Sequence, residues 1–163
     1  MSIRRTLRRE DGAAAVEFAL IVGVLAMLIF GMLQYGVAFF ALQNLRAAAR
    51  EGARVGAVGA TVAQVKQQTS TSSLGSLPAS SSAITVSYSS NGTAFGSALA
   101  DSARACPTAD QQTDFSSVKV NVNLQDPGLP QALKDIFVVD IPLMPPISLK
   151  GAQINGVFRC EGN

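Results

Sequence analysis

The chain has no histidine and no tryptophan, only two cysteines, and no proline before Pro78. Without histidine the commonest general base and the commonest metal ligand are both missing, so neither a Ser-His-Asp nor a Cys-His arrangement can be built. Cys106 and Cys160 are too far apart for a zinc pattern, and no glycine-rich nucleotide loop follows a strand. Asp101, Asp110 and Asp114 have a spacing that fits no calcium loop. We therefore expect no enzyme, no cofactor, no metal site and no small-molecule substrate.

Charge is also scarce where it matters. No charged residue lies between Phe18 and Leu45, and the only acid inside the apolar run that opens at Ala13 is Glu17. A bilayer core needs about 20 apolar residues of helix, which residues 13–33 already supply. A cleaved secretory signal would have an apolar core of only about 7–15 residues and a small-residue cleavage site; this run is longer and no such site follows it. The Arg4-Arg5 pair lacks the surroundings of a twin-arginine signal.

Basic residues flank the run on both sides, with Arg4, Arg5, Arg8 and Arg9 before it and Arg46, Arg50 and Arg54 after it. Charge alone leaves the orientation nearly tied. The two cysteines decide it, because an even pair in the polar part suits an oxidising compartment. The N-terminus is therefore expected in the cytoplasm and the chain beyond about residue 45 outside. Of thirteen basic residues four precede residue 12, and of eleven acids two do, leaving nine of each beyond it. That balance gives no reason to expect nucleic acid as a partner.

With no proline to stop it, one helix is expected from Ala13 to about Gln68, roughly 80 Å at 1.5 Å per residue. Its membrane part covers about 13–42, and 43–68 form an amphipathic extension. Gly23, Gly31 and Gly36 read equally as a slightly weakened anchor or as a surface for close helix packing. In the extension Arg46, Arg50 and Arg54 share one stripe, with Glu51 in reach of Arg54. Ala49, Gly52, Gly56, Ala60 and Ala63 form a small-residue seam for tight packing against a neighbouring helix or the chain's own domain.

Residues 69–82 hold nine Ser or Thr and read as a flexible linker. Residues 83–163 read as a small β-rich domain, so the fold class is α+β with a mainly antiparallel sheet. Asn91-Gly92 is a hairpin signal, and the Asn91-Gly92-Thr93 sequon is read as turn chemistry. Residues 116–125 alternate as a strand with Val118, Val120, Val122 and Leu124 on one side. A short helix around 129–136, a proline-containing extended stretch with Pro142 and Pro145, and a last strand over 152–160 complete the domain. A core of this size benefits from a staple, and a Cys106–Cys160 bridge, closing a loop of about 55 residues, is preferred over two free buried thiols.

The order around Glu17 is distinctive. Gly12, then Ala13-Ala14-Ala15-Val16, then Glu17-Phe18 and an apolar helix resembles the signal sequence of type IV pilins and pseudopilins, cut after the glycine by a prepilin peptidase. The resemblance implies a leader over 1–12, cleavage between Gly12 and Ala13, and an assembly contact at Glu17 and Phe18. With "LRAAAREGARVGAV" further along, residues 9–58 resemble the TadE-like family, in which Arg50, Glu51, Gly52, Ala53 and Arg54 form the helix motif. Family membership implies a minor pilin or pseudopilin of the tight adherence (Tad, or Flp) pilus. It also implies partners in the membrane: the prepilin peptidase, other pilins and the inner-membrane assembly machinery. Phe18 stands where the major pilins of such systems usually have tyrosine, and the outer domain far exceeds their short chains, so a minor component fits better. The alternative is an uncleaved single-pass anchor whose outer domain binds another envelope component.

Overall fold

The computed structural model describes residues 4–73, 77–129, 131–136, 138–139, 147–148 and 151–161. Helix α1 (Arg4–Ala57) is followed by α2 (Val62–Ser72), strands β1 (Ile84–Ser89) and β2 (Ser117–Val122), helix α3 (Gln131–Ile136), and strands β3 (Val138–Val139), β4 (Ile147–Ser148) and β5 (Ile154–Arg159). A 3-10 turn, Ala109–Gln111, lies in the long connection between β1 and β2. The fold is α+β: an apolar N-terminal helix carrying a small antiparallel sheet.

Helix α1 is continuous through Gly12, so it begins ahead of the expected start at Ala13. It also ends earlier than expected. Instead of running to Gln68, the chain turns at Gly59, whose φ of +89° is open to glycine at little cost and whose N–H caps the Gly56 carbonyl at 3.1 Å. Thr61 then starts α2 with a capping box: its side chain accepts from Gln64 N, and the Gln64 side chain accepts from Thr61 N. The expected single helix is thus two, with α2 folded back along α1.

The stretch expected to be a flexible linker is ordered wherever it is described. Thr69 and Ser72 belong to α2, while Ser73, Leu77 and Ser81 are buried. Its hydroxyls replace the missing helix and strand bonds: Ser73 Oγ donates to Ser70 O at 2.7 Å and accepts from Leu77 N at 3.2 Å. Ser82 Oγ donates to Asp126 Oδ1 at 2.8 Å, tying the stretch to the turn after β2. Residues 74–76 lie outside the described residues.

The sheet has the order β1-β2-β5 with both pairings antiparallel. Its register stacks Ile84, Val122 and Ile154 in one row, Val86, Val120 and Gly156 in the next, and Tyr88, Val118 and Phe158 in a third. This face lies on α1, where Leu42, Leu45, Ala49, Ala53 and Ala57 join Val62 and Val65 of α2 in one buried cluster with the strand valines. The opposite face carries Thr85, Asn121 and Asn155, then Ser87, Lys119 and Val157.

Asn91-Gly92 turns the chain, with Gly92 at φ +73°, but does not make the expected hairpin. Asn91 Oδ1 accepts from Thr93 N at 3.0 Å and Ala94 N at 2.9 Å, a side-chain turn that leads into an irregular segment rather than a strand. That segment still runs beside β1, with Gly96 N on Tyr88 O and Leu99 N on Val86 O. The ladder partner of β1 is β2, reached across residues 90–116. Beyond β2, β3 and β4 form a separate two-stranded pair. Pro142 and Pro145 lie outside the described residues.

Candidate functional site

The residues singled out by the sequence occupy two distant parts of α1. At the N-terminal part, Gly12, Ala13 and Glu17 are exposed, and Phe18 is 68% exposed. A Cβ built on Gly12 meets nothing within 4 Å, so the fold of this chain does not require glycine there. Glu17 forms no ion pair among the described residues. Four residues separate it from Ala13, one helical turn or about 6 Å along the axis and on the same face. From Val16 to Phe40 the large apolar side chains stand outward, including Leu20, Ile21, Leu28, Phe30 and Phe40. The helix is long and apolar enough to cross a membrane. Gly23 and Gly36, like Gly12, have no neighbour within 4 Å of an added Cβ.

At the other part, the Arg50-Glu51-Gly52-Ala53-Arg54 motif is divided by the helix into two faces. Gly52 and Ala53 point inward and are buried, whereas Arg50 and Arg54 are exposed. Arg54 Nη2 reaches Glu51 Oε1 at 2.7 Å, with a second bond from Nε to Oε2 at 3.0 Å. These hydrogen bonds hold the Glu51 carboxyl below its ordinary range, and the charge of Arg54 acts in the same direction. Both groups meet solvent, so the pair shapes the surface more than it stabilises the fold.

The glycines and alanines do the packing. A Cβ on Gly52 would overlap Thr69 Oγ1 of α2, and one on Gly56 would lie 3.1 Å from Ala105 Cβ and 3.2 Å from Val65 Cγ2. The seam therefore serves the chain's own domain: Ala49, Gly52 and Gly56 are buried, Ala60 is partly buried, and Ala63 is exposed on α2. Two residues not anticipated complete it. Thr69 is fully buried and donates to Val65 O at 2.8 Å. Gly156 brings β5 so close to α1 that a Cβ there would overlap the Ala49 carbonyl and lie 2.6 Å from Arg50 N. An isolated glycine inside an alternating strand is the sequence signal for such an approach.

Cys106 and Cys160 form a disulfide with Cα atoms 5.9 Å apart. It fastens the long connection to the end of β5, where Cys160 N donates to Ser116 O at 2.8 Å and Glu161 N donates to Ala57 O at 2.9 Å. The last residue of α1 is thus bonded to the described C-terminal segment. Of the acids considered for calcium, Asp101 instead takes Lys66 at 2.7 Å. Among the described residues no three His, Cys, Asp or Glu side chains are grouped to hold a metal ion.

No curated protein and no solved structure matches the chain. A family model described as TadE-like protein matches residues 12–54, from the glycine before the apolar run to the second arginine of the motif. Over that segment, which includes both the exposed apolar helix and the turns that seat the sheet, the chain is similar to the TadE-like family.

Proposed function

We propose that the chain is a minor pilin or pseudopilin that takes part in assembling a Tad (Flp) type IV pilus for surface adherence. The TadE-like match points to a Tad pilus-associated protein, and families of this kind are generally non-enzymatic. The observation that carries the finer reading is the uncovered apolar length of α1 with Glu17 near its start and Gly12 just ahead. In this reading the helix sits in the cytoplasmic membrane, with the N-terminus inside and the sheet domain outside. The prepilin peptidase cuts between Gly12 and Ala13, and the helix then packs among other pilin helices.

Cleavage changes the electrostatics of Glu17. A lone carboxylate near a bilayer is costly, while a charge pair in low dielectric is far better tolerated. The new amine of Ala13 lies one turn from Glu17 and meets it in the same or an adjacent subunit, setting register as subunits leave the membrane. The mature protein, purified from its host, is expected to begin at Ala13 by intact mass and N-terminal sequencing. An intact start at Met1 or Ser2 would make the chain a permanent anchor instead. Glu17→Leu is expected to insert in the membrane normally but to be depleted at least about tenfold from sheared pili; equal incorporation would count against the register role.

A further inference from the structure

The sheet face turned away from α1 has a composition that the pilus reading does not use. Along β2 and β5 it presents Asn121 beside Asn155 and Lys119 beside Val157, and Arg159 stands next to the buried Ser117. Asn155, Val157 and Arg159 are exposed. Both cations rest on aromatic rings: Lys119 Nζ lies 4.4 Å from the centre of Phe95, and the Arg159 guanidinium lies 5.8 Å from that of Phe115. Neither is in an ion pair, the two among the described residues being Glu51–Arg54 and Lys66–Asp101. Asp114, next to Phe115 in sequence, bonds to neither cation, and Glu161 belongs to the α1 side through its bond to Ala57.

At the Asn121 end this face runs into a cleft of about 160 Å³ lined by Asn121, Asn123, Gln125 and Gln153 with Gly151 and Ala152. Among the described residues no ionisable side chain lines it. Asn121 Nδ2 donates to Asn155 Oδ1 at 2.6 Å, and Asn123 Oδ1 accepts from Gln125 N at 3.0 Å. That leaves Asn121 Oδ1, Asn123 Nδ2 and the whole amides of Gln125 and Gln153 without a protein partner among the described residues. An amide offers a donor and an acceptor side by side, which suits adjacent hydroxyl groups that both give and take hydrogen bonds.

From these observations we propose that this face binds an acidic polysaccharide, its hydroxyls in the amide cleft and its carboxylates on Lys119 and Arg159. The register sets the scale. Asn121 and Lys119 are two residues apart on one strand, about 6.6 Å, and Arg159 is the diagonal neighbour of Lys119 at about 7–8 Å. The contact therefore spans several sugars rather than one. The aromatic rings hold the two cations in place, which lowers the ordering cost of binding. Charge complementarity selects an anionic ligand, and the uncharged amide cleft separates a glycan from a purely acidic peptide.

The test uses the full chain in uncharged detergent micelles, titrated by calorimetry with hexagalacturonate, maltohexaose and hexaglutamate. Hexagalacturonate is expected to bind best and to weaken as salt rises. Lys119→Gln combined with Arg159→Gln is expected to lower its affinity about 2–30-fold, the scale of losing two exposed charge contacts. Because Arg159 also rests on Phe115, Gln153→Glu provides an independent variant at an exposed site; its like charge is expected to lower uronate affinity at least about threefold. No binding of hexagalacturonate at millimolar concentration, or unchanged affinity in Gln153→Glu, would overturn the proposal. So would hexaglutamate binding as tightly as the uronate, since that would assign the face to an acidic peptide.

Discussion

Replacing Gly52 by alanine is the sharpest test of how the outer domain is joined to its helix. In an exposed helix this change would be favourable by about 1 kcal/mol, because glycine is the poorer helix former. Here the new Cβ would overlap Thr69 Oγ1 and lie 3.3 Å from Thr69 Cβ and 3.4 Å from the Val65 carbonyl. Thr69 is fully buried on α2, so it cannot swing into solvent, and α2 must move away from α1. Overpacking of this kind costs typically 1–3 kcal/mol, and an outright overlap with a buried side chain places this change in the upper part of that range, about 2–3 kcal/mol, so after the propensity gain a net loss of about 1–2 kcal/mol is expected. For a domain of this size that is a fall in Tm of roughly 4–16 °C. Thr69→Ala removes the clashing oxygen, so the double variant Gly52→Ala with Thr69→Ala is expected to regain at least about 1 kcal/mol relative to the sum of the single changes. The assay is thermal and urea unfolding of the full chain in micelles, followed through the sheet signal. If Gly52→Ala proves as stable as the parent, or if the two changes simply add, the seam is not held by this contact.

Two more outcomes are expected at the same joint. Gly156→Ala presses on main chain rather than a side chain, since its Cβ would meet the Ala49 carbonyl and Arg50 N; it is expected to cost at least about 3 kcal/mol, more than Gly52→Ala, and an equal or smaller shift in unfolding midpoint would contradict the close approach. Serine at both Cys106 and Cys160 is expected to lower stability by about 2–5 kcal/mol, measured by urea unfolding beside the parent under reducing and non-reducing conditions; a parent insensitive to reduction would show that the bridge carries no stability.

The sequence made some of this legible for direct physical reasons. The alternation Val118, Val120, Val122 gives β2, because a strand with one buried face must alternate, and the structure buries all three. The long apolar run gives α1, because a helix satisfies its interior backbone groups within the segment itself. The break after Ala57 is also written in the chain, as Gly59 and then Thr61-x-x-Gln64, a helix stop and a capping box in succession. Absence of proline masks it, because a stretch without proline reads as uninterrupted helix. The serine-rich stretch misleads for another reason: composition measures the average tendency of its residues, whereas Ser70, Ser73 and Ser82 are each ordered by specific partners. Asn91-Gly92 marks a true turn, but long-range pairing decides which element comes after a turn, and the partner of β1 lies beyond residue 116. At the motif around Gly52, sequence spacing identifies a packing surface and leaves its partner open. Thr69 and Val65 on α2 and Ala105 and Val118 of the domain occupy it.

The same α1 whose large apolar side chains stand bare between Val16 and Phe40 is, from Leu42 to Ala57, part of the core of the outer domain. No linker separates the two lengths. The sheet is seated on the upper turns of the helix through Gly156, held by the Glu161–Ala57 bond and locked by the Cys106–Cys160 bridge. Mechanically the chain is therefore a shaft with a head fixed to it. A rotation of the bare length about its axis turns the sheet by the same angle, and a pull on the head reaches the shaft without first extending a slack segment. Wherever packing of neighbouring helices sets the rotation of α1, it also sets the direction in which Lys119, Arg159 and the amide cleft face outward.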